Sequence, residues 1–238
     1  MPENLIYLSE NHRSATFVLC GPIILNRQFA PYRSSNMDAE CEYVFRNRGY
    51  LPHLDSPDLI QHVILRLVDS IPPDLIRKYE SELLIARKGT SASRNNAHMK
   101  HFQDKLDECL DKGYGQCILA DHRSAEIVNG VIKHFDGSRY RLDAWAIMPN
   151  HVHAIIKMLP KCPLWKTINS WKSFSAKKIN ALTGRKGSVW ALDYFDRYIR
   201  DHDHYFNAIT YIHNNPVKAG LVQNPGDWEY SSYGRWHG

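Results

Sequence analysis

The sequence holds no apolar run approaching the roughly 18 residues that a membrane-spanning helix needs. The nearest, Thr16 to Leu25, is short and carries Cys20 and Pro22. It follows Glu3 and Glu10 rather than a basic cluster, so no secretory leader is expected. Cysteine is sparse and odd in number (Cys20, Cys41, Cys109, Cys117, Cys162), and no two form a CxxC pair. That argues against a disulfide framework and a zinc ribbon, and fits reduced thiols in a cytosolic protein. Internal repeats and low-complexity segments are absent. There is no GxxxxGK[ST], which excludes a P-loop enzyme, and Gly113-Tyr114-Gly115 lacks the rest of a dinucleotide fingerprint. What remains is a chain of 238 residues, 43% hydrophobic and 23% charged. Those are globular proportions, enough for one large domain or two small ones.

The net charge of +5 looks mild until it is located. Nine basic residues lie between Pro160 and Arg200: Lys161, Lys166, Lys172, Lys177, Lys178, Arg185, Lys186, Arg197 and Arg200. Only Asp193 and Asp196 oppose them, so this segment carries +7 and the rest of the chain −2. A basic stretch within a slightly acidic protein is the footprint of a phosphate-backbone partner. A solvated lysine-rich face gives the same pattern, and charge alone does not separate the two.

Residues 1–47 lack clear periodicity and read as an N-terminal extension of unknown role, with the working domain over 48–238. Residues 61–69 (QHVILRLVD) alternate around Val63, Leu65 and Leu67, as a strand does. Pro72-Pro73-Asp74 opens a helix through Arg87, the KGTSASRNN loop ends it, and a second helix covers 98–110. A third spans 124–135. Strands at 140–148 and 151–158, joined by Pro149-Asn150, form a β-hairpin. Helices over 164–182 and 202–214 complete the chain. Strand, helices, hairpin, helices is the order of an α+β fold with an antiparallel sheet, not a doubly wound one.

The sharpest local feature is Pro149-Asn150-His151-Val152-His153-Ala154-Ile155-Ile156. Residues two apart on a strand share a face, so His151 and His153 project side by side. Two adjacent imidazoles are half of a metal site; they are also compatible with a pair of half-exposed strand histidines. His202 and His204 form a second HxH on a helix, where they point about 200° apart and cannot chelate one ion. Asp201 before them reads as that helix's N-cap. Tyr205, Ala208, Ile209 and Ile212 make its core stripe. Tyr211 lies off the stripe with His204, Asn207 and Asn215, which suits chemistry better than packing. Its i+4 neighbour is Asn215, provided the helix runs on past the turn that Pro216 disfavours.

MPNHVH on a strand, then SWKSFSAKKIN, YFDRYIRD and YIHNNPVKAGLV, resembles the REP-associated tyrosine transposases, bacterial members of the HUH single-strand nucleases. The resemblance covers about Arg48 to Tyr233, four separate blocks occur in the family's order, and residues 1–47 lie outside it. It implies that His151 and His153 are the HUH pair around a hydrophobic Val152. It also implies that Tyr211 is the nucleophile and Asn215 the third metal ligand. The implied fold is a ferredoxin-like antiparallel sheet with helices on one face, the HUH strand central and the tyrosine helix beside it. The implied chemistry is metal-dependent single-strand DNA cleavage and strand transfer through a covalent phosphotyrosine. The substrate would be repetitive palindromic DNA in single-stranded or hairpin form. Ligand type alone allows zinc, manganese or magnesium, and the resemblance favours Mg²⁺ or Mn²⁺. His204, about two turns before Tyr211, is one candidate to take the phenolic proton.

On 164–182, Lys166 and Lys177 share a polar face bordered by Lys172 and Lys178, a set suited to phosphate contacts with Arg197 and Arg200. Trp165 and Trp190 are candidates to stack on unpaired bases, with core packing as the competing role. The expected location is the bacterial cytoplasm and nucleoid, without membrane association, as a monomer or a homodimer. Two other readings compete. One is a nucleic-acid-binding protein that kept the fold without catalysis, against which the intact His151, His153, Tyr211 and Asn215 speak. The other is a metallohydrolase, but both HxHxDH and HExxH are missing.

Overall fold

The computed structural model describes residues 17–18, 44–47, 52–55, 59–87, 101 and 104–237. Strands β1 (Phe17–Val18), β2 (Val44–Asn47) and β3 (Pro52–Asp55) form a small antiparallel sheet. The boundary expected after residue 47 therefore falls at the end of β2, whose partner β3 lies beyond it.

The main sheet is built from β4 (Ile60–Arg66), β5 (Tyr140–Ile147), β6 (His151–Met158) and β7 (Phe195–Tyr198), in the order β5-β6-β4-β7. Every pairing is antiparallel. By succession along the chain this is 2-3-1-4, the ferredoxin-like order. β6 sits centrally, with His153 opposite Ile64 on one side and Ala146 on the other.

The helices are α1 (Pro73–Arg87), α2 (residues 104–111), α3 (His122–Lys133), α4 (Leu164–Thr183), α5 (His202–Lys218) and α6 (Tyr233–His237). Among the described residues, none is long and apolar enough to cross a membrane. Strand alternation sorts them into layers. Val63, Leu65, Val152, Ala154 and Ile156 pack with Val128 and Ile132 of α3 and Ile168, Trp171 and Ile179 of α4. On the reverse face, Ala144, Ala146 and Ile155 pack against Ala208, Ile209 and Ile212 of α5. Ile64 and Phe195 meet Leu106, Cys109 and Leu110 of α2 there. The α+β class and the antiparallel sheet are as expected, but helices cover both faces rather than one. A sheet covered on both faces buries both phases of its strands, which is why β4 and β6 are buried along almost their whole length, polar residues included.

The strand β7 has no counterpart among the sequence expectations. Four residues in a charged segment, buried Phe195 and three half-buried ones, are too few to establish a period. The helix caps follow the sequence more closely: Asp201 accepts from the His204 N–H at 2.7 Å, and α4 stops at Gly184 with φ 68°.

Tyr140 ties the α3/α4 layer to the sheet. Its hydroxyl donates to Ile132 O at 2.7 Å and accepts from Trp171 Nε1 at 3.0 Å, with no exposure of the side chain. Tyr140→Phe leaves that indole N–H buried without an acceptor, a cost of about 1–3 kcal/mol. Urea unfolding should show a lower midpoint at unchanged slope; an unchanged midpoint would mean that the two bonds contribute nothing net.

Candidate active site

β6 brings His151 and His153 onto the α5 face, and burial there is nearly complete, at 1% and 0% exposure. Their Nε2 atoms stand 3.0 Å apart. Each ring's Nδ1 meets a further side chain. His151 Nδ1 lies 2.7 Å from Asn150 Oδ1, and His153 Nδ1 lies 3.0 Å from Nε2 of His62 on β4. Asn150 spends its amide N–H groups on Leu110 O (3.1 Å) and Tyr114 O (3.3 Å), so it can only accept from His151. The hydrogen of His151 is therefore on Nδ1 and its Nε2 presents a lone pair.

Two hydrogen placements then satisfy the chain. In one, His62 donates to His153, which donates to His151. In the other, His153 donates to His62, and both Nε2 lone pairs converge on one point. The second arrangement needs a cation between them, because two lone pairs at 3.0 Å repel. Donors at right angles about 2.1 Å from one ion would stand about 3.0 Å apart, so the observed separation suits an octahedral site.

Burial holds the rings neutral, as ligands must be. It lowers His151 and His62 to about 3, helped by Lys218 for His151 and by His204 and Arg197 for His62; it also lowers His153 well below its ordinary value, with His151 adding to the effect. His62 is the residue that sequence reasoning passed over. It shares the phase of Ile64 and Arg66, but only the pairing of β4 with β6 reveals that this phase faces the histidines.

The helix α5 crosses the same face. It runs unbroken through Pro216 to Lys218, so Asn215 does sit one turn beyond Tyr211. The Tyr211 ring lies edge-on to His153, with centroids 5.7 Å apart, and 6.3 Å from His62. Asn215 has no exposure, and neither its Oδ1 nor its Nδ2 has a protein partner. An amide buried without bonds is costly unless something else completes it. Among the described residues, no three His, Cys, Asp or Glu side chains form a metal-holding group. The side chains here able to hold an ion are the two imidazoles, with the orphaned Asn215 amide one turn beyond Tyr211 as a further donor.

Tyr211 donates its hydroxyl to Asp107 Oδ2 of α2 at 2.9 Å. Burial first, then the Asp107 charge, pushes the phenol above its ordinary value. Burial likewise raises Asp107 to about 7, opposed by the bond from Tyr211 and aided by Asp111. His204 does not hold the phenol; its Nδ1 accepts the Arg200 N–H at 3.2 Å. Asp107 escaped sequence reasoning because it lies 104 residues from Tyr211, on a helix with no motif.

The basic residues do not share one surface. Arg197 lies opposite His62 on the histidine face, and exposed Arg200 precedes α5. Lys166, Lys177 and Lys178 are exposed on α4, in the layer behind the sheet. Lys172 is half-buried and donates to Leu192 O at 2.7 Å, tying the loop before β7 to α4. Trp165 is partly exposed, with Lys166 Nζ 5.5 Å from its ring centre. Trp190 is corrected to a core residue: it is 6% exposed, packs in the α3/α4 cluster and donates to Ser175 Oγ at 2.9 Å, leaving no open ring face for a base.

With this geometry in place, the likeness to known proteins can be located. The family described as Transposase IS200 like matches residues 114–215, which run from the turn before α3 to Asn215. The REP-associated tyrosine transposase of Escherichia coli is 28% identical over 102 residues, 40% of this chain and 56% of that protein. An uncharacterized protein of Haemophilus influenzae is 30% identical over 98 residues, 32% of this chain and 54% of its own. The chain thus spans about half the length of these curated relatives. A solved structure of a REP-associated tyrosine transposase bound to a REP hairpin aligns with TM-score 0.44 at 17% identity, covering 74% of this chain and 78% of that one.

The buried imidazoles make stability depend on pH in the absence of metal. Their folded pKa values lie below the unfolded value of 6.5, so the unfolded chain takes up protons first. Stability should be complete above about 6.5 and drain away as pH falls toward 3. Asp107, raised from 3.8 to about 7, acts with the opposite sign over that window but is one group against three. Thermal melts with chelator present should give a lower Tm at pH 5.5 than at pH 7.5. A flat or rising Tm on acidification would show that the rings are not held neutral.

Proposed function

We propose that this chain is a metal-dependent single-strand DNA endonuclease and strand transferase, transposase-like, acting through a covalent phosphotyrosine at Tyr211. The observation that carries the reading is the Tyr211 ring edge-on to His153, whose Nε2 stands 3.0 Å from that of His151, with a buried and unpartnered Asn215 one turn along the same helix. The family match and the E. coli relative, named a REP-associated tyrosine transposase, support transposase chemistry as the class. The four sequence blocks that resemble the REP-associated tyrosine transposases, and the name of the E. coli relative, favour palindromic DNA, so a DNA hairpin with a single-stranded flank is the substrate we assign.

His151, His153 and Asn215 would hold the ion; the 3.0 Å between the imidazole Nε2 atoms suits an octahedral site, and the family resemblance favours Mg²⁺ or Mn²⁺. When bound, such an ion supplies Lewis-acid stabilisation of charge on the scissile phosphate. Asn150 and His62 keep the Nδ1 hydrogens in place, so that both Nε2 atoms point inward. The α5 scaffold fixes Tyr211 beside His153 and excludes water from much of its ring. Lys218, 5.6 Å from the Tyr211 ring centre and paired with Asp111 at 2.7 Å, adds positive charge on the side of the phenol. Attack by Tyr211 Oη on phosphorus forms the protein–DNA bond and breaks P–O3′, leaving a 3′-hydroxyl. The phosphodiester energy is kept in that link, so the strand can be rejoined without a nucleotide cofactor. Arg197 and Arg200 lie nearest this chemistry among the basic residues proposed to contact DNA. Lys166, Lys172, Lys177, Lys178 and Trp165 would engage DNA that passes round the β7 edge to α4.

With a labelled hairpin substrate and Mn²⁺, the wild-type chain should give a covalent adduct on a denaturing gel, mapped to Tyr211. Tyr211→Phe should abolish it while leaving hairpin affinity within about twofold, because only the reactive oxygen is lost. His151→Ala and Asn215→Ala should each lower Mn²⁺ affinity by at least about 10-fold. An adduct from Tyr211→Phe, or unchanged Mn²⁺ affinity in both ligand variants, would overturn the assignment.

A further inference from the structure

We propose that Asp107 is the catalytic base that takes the phenolic proton of Tyr211 during cleavage and returns it during rejoining. This rests on the phosphotyrosine reading above and assigns it a proton acceptor.

Three observations support it. First, the Tyr211 hydroxyl already points its hydrogen at Asp107 Oδ2, 2.9 Å away, so the acceptor is in place before substrate arrives. Second, Asp107 is 6% exposed and its Oδ1 has no partner, whereas a carboxylate kept only for packing would be better replaced by an apolar residue. Third, the surroundings hold it near neutral titration. Asp104 and Asp111 on its own helix and the burial itself favour the protonated form; Lys218 and Tyr211 on α5 favour the charged one. Beyond the Tyr211 ring lie the neutral imidazoles of His62 and His153, and Arg197 of β7 acts on Asp104. A carboxyl at about 7 accepts a proton from a phenol more readily than an ordinary one, and still releases it at neutral pH.

The balance is as follows. As the Tyr211 Oη–P bond forms and P–O3′ breaks, the phenolic proton passes to Asp107 Oδ2. The departing 3′-oxygen takes a proton from solvent, and Asp107 keeps the phenolic proton. In rejoining, the 3′-hydroxyl attacks the phosphotyrosine and loses its proton to solvent, while protonated Asp107 returns the phenolic proton to the leaving phenolate. No oxidant or nucleotide is consumed.

The test compares Asp107→Asn with Asp107→Ala in single-turnover adduct formation on the hairpin substrate with Mn²⁺. Asparagine keeps the shape and an oxygen that accepts from the phenol, but it is no base. The proposal expects both variants to fall by about 10²–10⁴-fold with hairpin binding unchanged. The wild-type rise in rate up to about pH 7 should vanish in Asp107→Asn, and rejoining should slow with cleavage. If Asp107→Asn keeps wild-type rates while Asp107→Ala is slow, Asp107 only positions the tyrosine and the proposal falls. Should Asp107→Asn fail to fold, a fluorotyrosine at position 211 of the otherwise unaltered chain carries the test. A more acidic phenol depends less on a base, so the acid-side loss of rate should shrink; an unchanged profile overturns the proposal. A wild-type chain that forms no adduct at all overturns the phosphotyrosine reading, and Asp107 falls with it. An adduct that ignores Asp107 leaves that reading standing and removes the base alone.

Discussion

Both ring nitrogens of His153 are engaged, one toward His62 and one toward His151, inside a region that water does not reach. A buried polar chain of this kind must be satisfied throughout or it destabilises the fold. Asn150 closes one end by anchoring to two backbone carbonyls, Leu110 O and Tyr114 O, at the end of α2 and just beyond. The register of β4 against β6 supplies the other end by placing His62 within reach. The hairpin turn, the central strand pair and α2 are therefore all fixed by one hydrogen-bond chain, and the junction between its two Nε2 atoms is where an ion would enter.

The second constraint is that this chain lies between two layers rather than on a surface. Ile209 and Ile212 of α5 seal it against Ala144, Ala146 and Ile155, where the small alanines of β5 let the helix come close. The same helix presents Tyr211 and Asn215 on its adjoining side. Packing and chemistry thus share one rigid element: the stripe that buries apolar surface also aims the phenol. A site carried by helix and strand is more precise than one carried on loops.

Charge is arranged with less economy. The basic segment that looked continuous along the chain is divided by the sheet, with Arg197 and Arg200 on the side of the histidines and most of the lysines behind it. A nucleic acid meeting both sets would have to pass an edge of the sheet; at β7, Lys172 braces the preceding loop through Leu192. Electrostatic attraction tolerates this separation better than base stacking does, because phosphate contacts act over several ångströms and stacking acts only in contact. Trp190, drawn into the core by its own bond to Ser175, illustrates the difference.

Periodicity and local motifs were enough to place both strands of the hairpin, the long helices, the histidine pair and the tyrosine with its asparagine. Each of those depends on residues within one turn or one strand pair of each other, where side-chain direction follows from backbone geometry alone. The strand β7, the two-sided covering of the sheet, His62 and Asp107 were decided only by the tertiary structure. His62 and His153 are 91 residues apart, and Asp107 and Tyr211 are 104 apart. No local pattern links such pairs. They meet because antiparallel pairing sets the register of β4 on β6, and because burying the apolar sides of α2 and α5 on one sheet face leaves Asp107 and Tyr211 pointing at each other.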